Sequence, residues 1–269
     1  MTLSTKEATR LSADCLDLAV RGAAVASRGF RTRPTAREKS AHDVVTEFDM
    51  ETQTIILALL RERHPGVPVI AEEGESETPA PPPAGLSFAV DPIDGTTNFA
   101  HGHPFWCVSV GALFDGQPLA GGVVAPALAT SWHGFHTDSG GVALRNGAPC
   151  EVSQTAELGS ALLATGFPPV RDVAPANNFD SFMRVKKLAR GVRRCGAAAL
   201  DLAFVADGTY DGYWERRLHI WDAAASAALV LAAGGTITTL RGDMPAYERG
   251  HVLATNGRIH EALRVAVDA

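Results

Sequence analysis

The chain has 269 residues, 46% of them hydrophobic and 20% charged, so it can bury the core of one large domain or of two packed halves. A formal net charge of -6 without any basic block argues against nucleic acid as a partner, and neither a signal peptide nor an apolar run of membrane-spanning length is recognisable. We therefore expect a cytoplasmic protein with no membrane or nucleic-acid partner, whose four widely spaced cysteines are reduced.

The first half of the chain predicts two helices followed by strands. Ser4 and Glu7 fit a capping box at the start of a helix that ends near Ser27. A polar loop over 28–43 leads to a second helix, which begins at Thr46. Predicted strands then surround an acidic, proline-rich loop, and these later elements are a strand at 67–71, the loop at 72–85, a strand at 86–90 and an antiparallel meander over 106–136.

Strands and helices alternate in the second half, which is typical of an α/β unit. The predicted elements are strands at 161–165, 191–195, 209–215, 235–240 and 251–255, and helices at 178–189, 197–206, 222–233 and 257–267. We therefore predict an α/β fold with an α+β N-terminal half, residues 1–143, and an α/β C-terminal half, residues 144–269.

The stretch DPIDGTT, which starts at Asp91, follows an apolar strand. Proline fixes φ and glycine accepts positive φ, so a sharp turn can aim Asp91, the Ile93 carbonyl and Asp94 at one point. Such a set of oxygen donors suits Mg²⁺ with room left for a phosphate. The N–H groups of Gly95 and Thr96 would then form an anion site. The alternative is an Asp-Pro turn in which Asp94 caps a helix.

Other acids also stand at the ends of predicted elements. Glu72 and Glu73 follow a strand, Asp222 begins an alanine-rich helix, and Thr46 with Asp49 matches the spacing of a capping box. Taken singly, a solvated pair and two helix caps explain these residues. Taken together, carboxylates brought to one place repel and must bind protons or share cations, so the combination favours a metal site.

These residues resemble, in order and over nearly the whole chain, the inositol monophosphatase family of magnesium-dependent, lithium-sensitive phosphatases. The shared patterns are DVVTEFD at 43–49, EE at 72–73, DPIDGTTNF at 91–99, TGFP at 165–168, the run at 195–215, WDAAA at 221–225 and AGG at 233–235. The resemblance implies a layered αβαβα sugar-phosphatase fold, usually a homodimer, with the metals between the two halves.

The resemblance also implies a ligand set. Glu72, Asp91 and the Ile93 carbonyl would hold one Mg²⁺, and Asp91, Asp94 and Asp222 would hold a second. Some relatives carry a third, weaker Mg²⁺ near Glu72, so two or three ions are expected for each active site.

Catalytic and substrate-binding residues follow from the same resemblance. Asp49, Glu72 and Thr96 would be catalytic, with Asp49 and the Thr96 hydroxyl orienting the attacking water. The substrate would be bound by Asp94, by the N–H groups of Gly95 and Thr96 at its phosphate, and by Glu215 and the Ala198 backbone at its hydroxyls. Glu73 would support the site, and three departures from the family pattern remove no ligand: Gln53, Ala71 and Ala197.

The resulting hypothesis is a metal-dependent phosphoric monoester hydrolase that converts myo-inositol 1-phosphate and water to inositol and phosphate. Histidinol phosphate, fructose 1,6-bisphosphate and 3′-phosphorylated nucleotides stay open as substrates, because the motif recognises only phosphate and the leaving oxygen. A regulatory partner of the transcription machinery is the alternative of another class.

Overall fold

The computed structural model describes residues 3–40, 43–74, 82–168, 177–243 and 250–268. Part of the loop predicted at 72–85 falls outside these ranges. The helices within them are α1 Thr5–Ser27, α2 Glu47–Arg63, α3 Thr96–Ala100, α4 Phe179–Leu188, α5 Ala198–Ala206, α6 Ile220–Ala232 and α7 His260–Asp268. Among the described residues, no helix combines the length and the apolar character needed to cross a bilayer.

The predicted capping boxes form. Ser4 accepts a hydrogen bond from the N–H of Glu7 while the Glu7 carboxylate accepts one from the N–H of Ser4, and α1 begins there. Thr46 and Asp49 make the same exchange at the start of α2. In the second half the observed helix starts differ more from the predicted ones; α6, for example, begins two residues before the predicted 222.

Most of the described strands belong to two sheets. In the part of the chain that the structure describes, a seven-stranded sheet contains, in order, β3 Val69–Ala71, β4 Leu86–Asp94, β5 Cys107–Phe114, β6 Gln117–Ala125, β7 Thr130–Thr137, β8 Gly140–Arg145 and β9 Ala148–Pro149. β3 is parallel to β4 and every later pair is antiparallel, so the predicted meander is confirmed. The division at residue 143 stays a prediction; the sheet itself continues to Pro149.

The second sheet mixes parallel and antiparallel pairs. Its five described strands have the order β11 Gly191–Arg193, β10 Leu162–Thr165, β12 Gly212–Leu218, β14 Gly250–Thr255 and β13 Thr236–Thr238. A separate antiparallel hairpin joins β1 Ala36–Ser40 to β2 Asp43–Thr46. The prediction of a polar loop over 28–43 was therefore wrong for β1, whose polar residues pair through the backbone without an apolar face.

The elements stack in five layers. Helices α1 and α2 cover one face of the large sheet, and α5 and α6 lie between the two sheets. Helices α4 and α7 pack together on the far side of the small sheet, over a core that includes Trp214 and Leu263. The predicted αβαβα fold is confirmed.

Two adjacent glycines let helices approach β6 from both sides. A Cβ on Gly121 would lie 2.3 Å from the carbonyl oxygen of Ala225 in α6, and one on Gly122 would lie 2.5 Å from the carbonyl carbon of Cys15 in α1. Because successive residues of a strand point to opposite faces, this pair holds a helix backbone against each face. The position of α6, and of its N-terminus, depends on this contact.

We expect Gly121→Ala to lower the free energy of unfolding by about 1–3 kcal/mol, since the neighbouring atoms are backbone and cannot rotate away. Urea denaturation measures the change. Gly159→Ala is the control, because a Cβ there would meet only the Leu188 carbonyl oxygen, at 3.7 Å. Equal effects of the two substitutions would contradict the close packing of α6 on β6.

Candidate active site

Strand pairing brings Glu72 beside the acidic turn at the end of β4. Ala71 lies opposite Val90 in the parallel pair, and the N–H of Glu72 donates to the Val90 carbonyl at 3.2 Å. The next residue on each strand is an acid, Glu72 on one and Asp91 on the other. The predicted approach of these two carboxylates follows from the register of the sheet.

Asp91 lies at the centre of the acidic group. Its side chain is buried, and its Oδ1 has no hydrogen-bond partner. Burial raises its pKa well above the usual range, and the nearby charges of Glu72, Asp94 and Asp222 raise it further. The four carboxylates are therefore close enough to destabilise one another's ionised forms.

Asp94 is held by the start of a distant helix. Its carboxylate accepts hydrogen bonds from the N–H groups of Ala198 at 3.0 Å, Ala199 at 2.8 Å and Leu200 at 3.3 Å, all in the first turn of α5. Burial raises its pKa to about 6, against these three donors. The alternative in which Asp94 caps the helix that follows it is wrong, because Gly95, at φ 89°, is the N-cap of α3.

Asp49 and Thr96 form a second buried pair. The Thr96 hydroxyl lies 3.0 Å from Asp49 Oδ1 and 3.0 Å from the Ile93 carbonyl, either of which can accept its proton. The other Asp49 oxygen accepts from the N–H and the hydroxyl of Thr46, which fixes the carboxylate. Burial raises the pKa of Asp49 to about 6, and the hydrogen bonds from Thr46 and Thr96 oppose the rise.

Asp222 approaches the same place from the C-terminal half. Asp222 is the third residue of α6, so the interpretation of Asp222 taken alone as the N-cap is wrong. Its Oδ2 accepts a hydrogen bond from the N–H of His219, the N-cap, at 2.7 Å. Burial raises its pKa well above the usual range, and Asp94 and Glu72 add to the effect. Its carboxylate therefore serves both the helix start and the acidic group.

Two residues hold the Glu72–Glu73 segment in a way that the sequence did not predict: Lys39, which it did not single out, and Gln53, which it noted only as a departure from the family pattern. Lys39, in the hairpin strand β1, contacts both carboxylates, with Nζ 3.1 Å from Glu72. Burial raises the pKa of Glu72 to about 7 and Lys39 opposes the rise. Gln53 accepts from the N–H of Glu73 at 2.9 Å and donates to its carbonyl, an exchange that a glutamate could not make.

The residues assigned to substrate hydroxyls lie on the C-terminal side. Burial raises the pKa of Glu215 to about 7, and Glu215 lies near enough to Asp94 and Asp222 to influence their charges. The N–H of Ala198 donates to Asp94, so this group is not free for a substrate in the present conformation. Sequence reasoning also missed Asp201, which is buried in α5 with an unpartnered Oδ1.

The surroundings of the acids test whether a divalent cation would fit. In the described ranges, no three or more His, Cys, Asp or Glu side chains are arranged to hold a metal ion as they stand. Glu72 is paired with Lys39, Asp94 with α5 and Asp222 with its own helix start. Asp91 nevertheless keeps an unpartnered oxygen, and the acids raise one another's pKa. Hard oxygen donors under mutual repulsion fit a divalent cation that replaces protons and Lys39.

Comparison with known proteins gives the same family from sequence and from fold. A model of the inositol monophosphatase family matches residues 9–268. The inositol-1-monophosphatase of Synechocystis sp. is 39% identical over 252 residues, covering 92% of this chain and 85% of the relative. The Nus factor SuhB of Pseudomonas aeruginosa is 37% identical over 237 residues, covering 87% of this chain and 86% of the relative.

Solved structures agree. The inositol monophosphatase of Anabaena (Nostoc) sp. has a TM-score of 0.83 and 35% sequence identity, covering 96% of this chain and 95% of that one. The inositol monophosphatase of Thermotoga maritima has a TM-score of 0.81 and 29% identity, covering 94% of each chain. With the acidic turn, the αβαβα layers and the family model in agreement, this chain belongs to the inositol monophosphatase family.

Proposed function

We propose that this protein is a magnesium-dependent phosphomonoesterase whose substrate is myo-inositol 1-phosphate or a close polyol phosphate. The observation that carries the proposal is the acidic group Glu72, Asp91, Asp94 and Asp222, in which Asp91 and Asp94 are buried, one oxygen of Asp91 has no partner and the charges oppose one another. Ionised carboxylates held this close together repel one another, and a bound cation relieves the repulsion.

Two Mg²⁺ ions would share these residues, with a third near Glu72 as the further possibility. Glu72, Asp91 and the Ile93 carbonyl would hold one ion, and Asp91, Asp94 and Asp222 the other. When bound, the ions supply Lewis-acid activation of water and stabilisation of the leaving oxygen. Binding requires Glu72 to exchange its ion pair with Lys39 for the cation.

Asp49 and Thr96 would orient the attacking water and move its proton. When the Thr96 hydroxyl donates to Asp49, at the observed 3.0 Å, its oxygen is left to accept a hydrogen bond from water. As the water attacks phosphorus, its proton passes to Thr96 Oγ1 and the threonine proton passes to Asp49 Oδ1. Thr46 holds Asp49 in the required orientation.

The phosphate would bind at the turn between β4 and α3. Gly95 has φ 89°, a backbone region that non-glycine residues rarely adopt, and this conformation begins the short helix at Thr96. The N–H groups of Gly95 and Thr96 would donate to the phosphate oxygens. Bound cations would offset the surrounding acids, which would otherwise repel an anion.

Substrate choice is supported by position and by similarity. Glu215 and the backbone at Ala198 would face the leaving group, and a carboxylate there favours hydroxyl donors. The Synechocystis relative, 39% identical, is named an inositol-1-monophosphatase. Histidinol phosphate, fructose 1,6-bisphosphate and 3′-phosphonucleotides are the alternatives within the class. We place the enzyme in the cytoplasm as a homodimer with no nucleic-acid partner, and expect lithium to inhibit it.

A regulatory role is the second candidate, since the Pseudomonas aeruginosa relative is named a Nus factor. The presence of every proposed ligand favours catalysis, because a protein that only binds partners needs no buried acidic group. The deciding experiment is phosphate release from the four substrate classes with Mg²⁺, with and without Li⁺. Negligible turnover of all four, with co-purification of RNA polymerase components, would support the regulatory role instead.

Asp222→Asn is expected to lower turnover by about 100-fold or more, because it removes a charge from the cation site. Asparagine retains an oxygen that can accept from the His219 N–H, so the fold should persist. Circular dichroism and phosphate-release kinetics check the two expectations. Asp17→Asn is the control, since Asp17 lies in α1 and pairs with Arg21 and with Arg63, the last residue of α2. Unchanged turnover in the Asp222 variant would refute the ligand assignment.

We expect the metal-free protein to lose thermal stability as the pH rises from about 4 to about 7. The pKa values of Asp49 and Asp94 are raised to about 6 and that of Glu72 to about 7, so the folded state holds protons that the unfolded chain releases. Their contribution is complete below the unfolded values and is lost as the pH passes through the folded ones. Scanning calorimetry after chelation measures the midpoint at each pH.

Mg²⁺ should then raise the unfolding midpoint more at pH 8 than at pH 5, because cation binding requires ionised carboxylates. Glu72→Gln should weaken both the pH dependence and the Mg²⁺ response. If Mg²⁺ raised the thermal unfolding midpoint equally at pH 5 and pH 8, that result would contradict linkage between ionisation of the acids and cation binding.

A further inference from the structure

Tyr213 and Glu215 stand two residues apart on β12 and point to the same face of the small sheet. Tyr213 is fully buried, and its hydroxyl donates a hydrogen bond to Oε2 of Glu215. A buried phenol requires such a partner, so the contact satisfies the tyrosine while it fixes one oxygen of the carboxylate. The other oxygen is left for another donor.

The backbone of Gly166 lies directly against the Glu215 carboxylate. A Cβ on Gly166 would lie 2.0 Å from Oε2 and 2.3 Å from Cδ of Glu215, so only glycine leaves room for this position of the carboxylate. The glycine is itself held in place. Asn178 donates to the Gly166 carbonyl at 2.7 Å and accepts from the indole N–H of Trp214 at 2.8 Å.

Asn178, which holds Gly166, is itself held by Trp214 of β12, the strand that carries Tyr213 and Glu215. Trp214 lies between Tyr213 and Glu215 in β12, and it is fully buried. Movement of Gly166 away from Glu215 would break the buried hydrogen bond from Asn178, which is costly. The carboxylate is thus held by a hydrogen bond from a buried phenol and lies against a fixed backbone.

We propose that Tyr213 and Gly166 are positioning residues that hold Glu215 in one orientation and so select a polyhydroxylated leaving group. The inference rests on the proposed function, in which Glu215 faces that group. A free glutamate has several rotatable bonds, and ordering them would oppose substrate binding; here the fold has already ordered them.

The charge of Glu215 depends on the same contact. Burial raises its pKa to about 7, whereas the Tyr213 hydrogen bond and the Arg194 guanidinium oppose the rise and Asp94 adds to it. Loss of the phenol would leave Glu215 more often protonated near neutral pH. A protonated carboxyl accepts hydrogen bonds from substrate hydroxyls less strongly.

Tyr213→Phe tests the inference by removing one oxygen from the buried ring. We expect the ratio of kcat/KM for myo-inositol 1-phosphate to that for p-nitrophenyl phosphate, whose leaving group has no neighbouring hydroxyls, to fall about tenfold. Gly166→Ala should lower the same ratio by displacing the carboxylate. Tyr210→Phe is the matched control, because its buried hydroxyl contacts Cys195 Sγ at 3.6 Å and not Glu215.

A second measurement does not depend on turnover. Carboxyl-carbon NMR of ¹³C-glutamate-labelled protein, assigned with Glu215→Gln, should place the titration of Glu215 at higher pH in Tyr213→Phe than in wild type or Tyr210→Phe. An unchanged titration together with an unchanged substrate ratio would overturn the positioning role.

Glu215→Gln separates failure of this inference from failure of the proposed function. If that variant keeps the substrate ratio of wild type, Glu215 does not face the leaving group and both the substrate assignment and the inference fall. If the substrate ratio falls in Glu215→Gln but is unchanged in Tyr213→Phe, the proposed function stands and the inference alone fails.

Discussion

The rest of the structure depends on the burial of several carboxylates at one place between two sheets. Each acid loses water on burial, and neighbouring acids raise its pKa further, as Glu72, Asp94 and Asp222 do most clearly for Asp91. The fold offsets this cost with fixed donors, the N–H groups of α5 and the ammonium of Lys39. It leaves one Asp91 oxygen without a partner, and that remaining deficit is what a cation can satisfy.

Close backbone packing determines whether the acids can meet at all. Asp222 belongs to α6, whereas Asp91 and Asp94 lie at the end of β4 in the seven-stranded sheet. α6 reaches them because Gly121 presents only hydrogen to the backbone of Ala225. A residue remote from the chemistry thus sets the position of a proposed ligand, which links core packing to the site.

Several proposed site residues also hold the fold together. Asp94 ends β4 and caps α5, so one carboxylate ties the large sheet to the helical layer between the sheets. The Thr96–Asp49 contact joins α3 to the start of α2 in the same way. These shared contacts tie the acidic group to the helices and strands around it.

The sequence by itself determined the features that arise from neighbouring residues. The capping boxes at Ser4 and Thr46, the turn after Asp91 and the alternation of elements are local, because periodicity and side-chain spacing act within a few positions. Family resemblance added the roles proposed for the acids. Only the tertiary structure decided that Lys39 pairs with Glu72, that Gln53 holds Glu73 and that Asp94 caps α5 and not α3. It also decided that Tyr213 donates to Glu215 and that Gly166 lies against the same carboxylate. Most of these partners lie far apart in the chain or in separate elements, and they meet because strand register and helix packing bring them together.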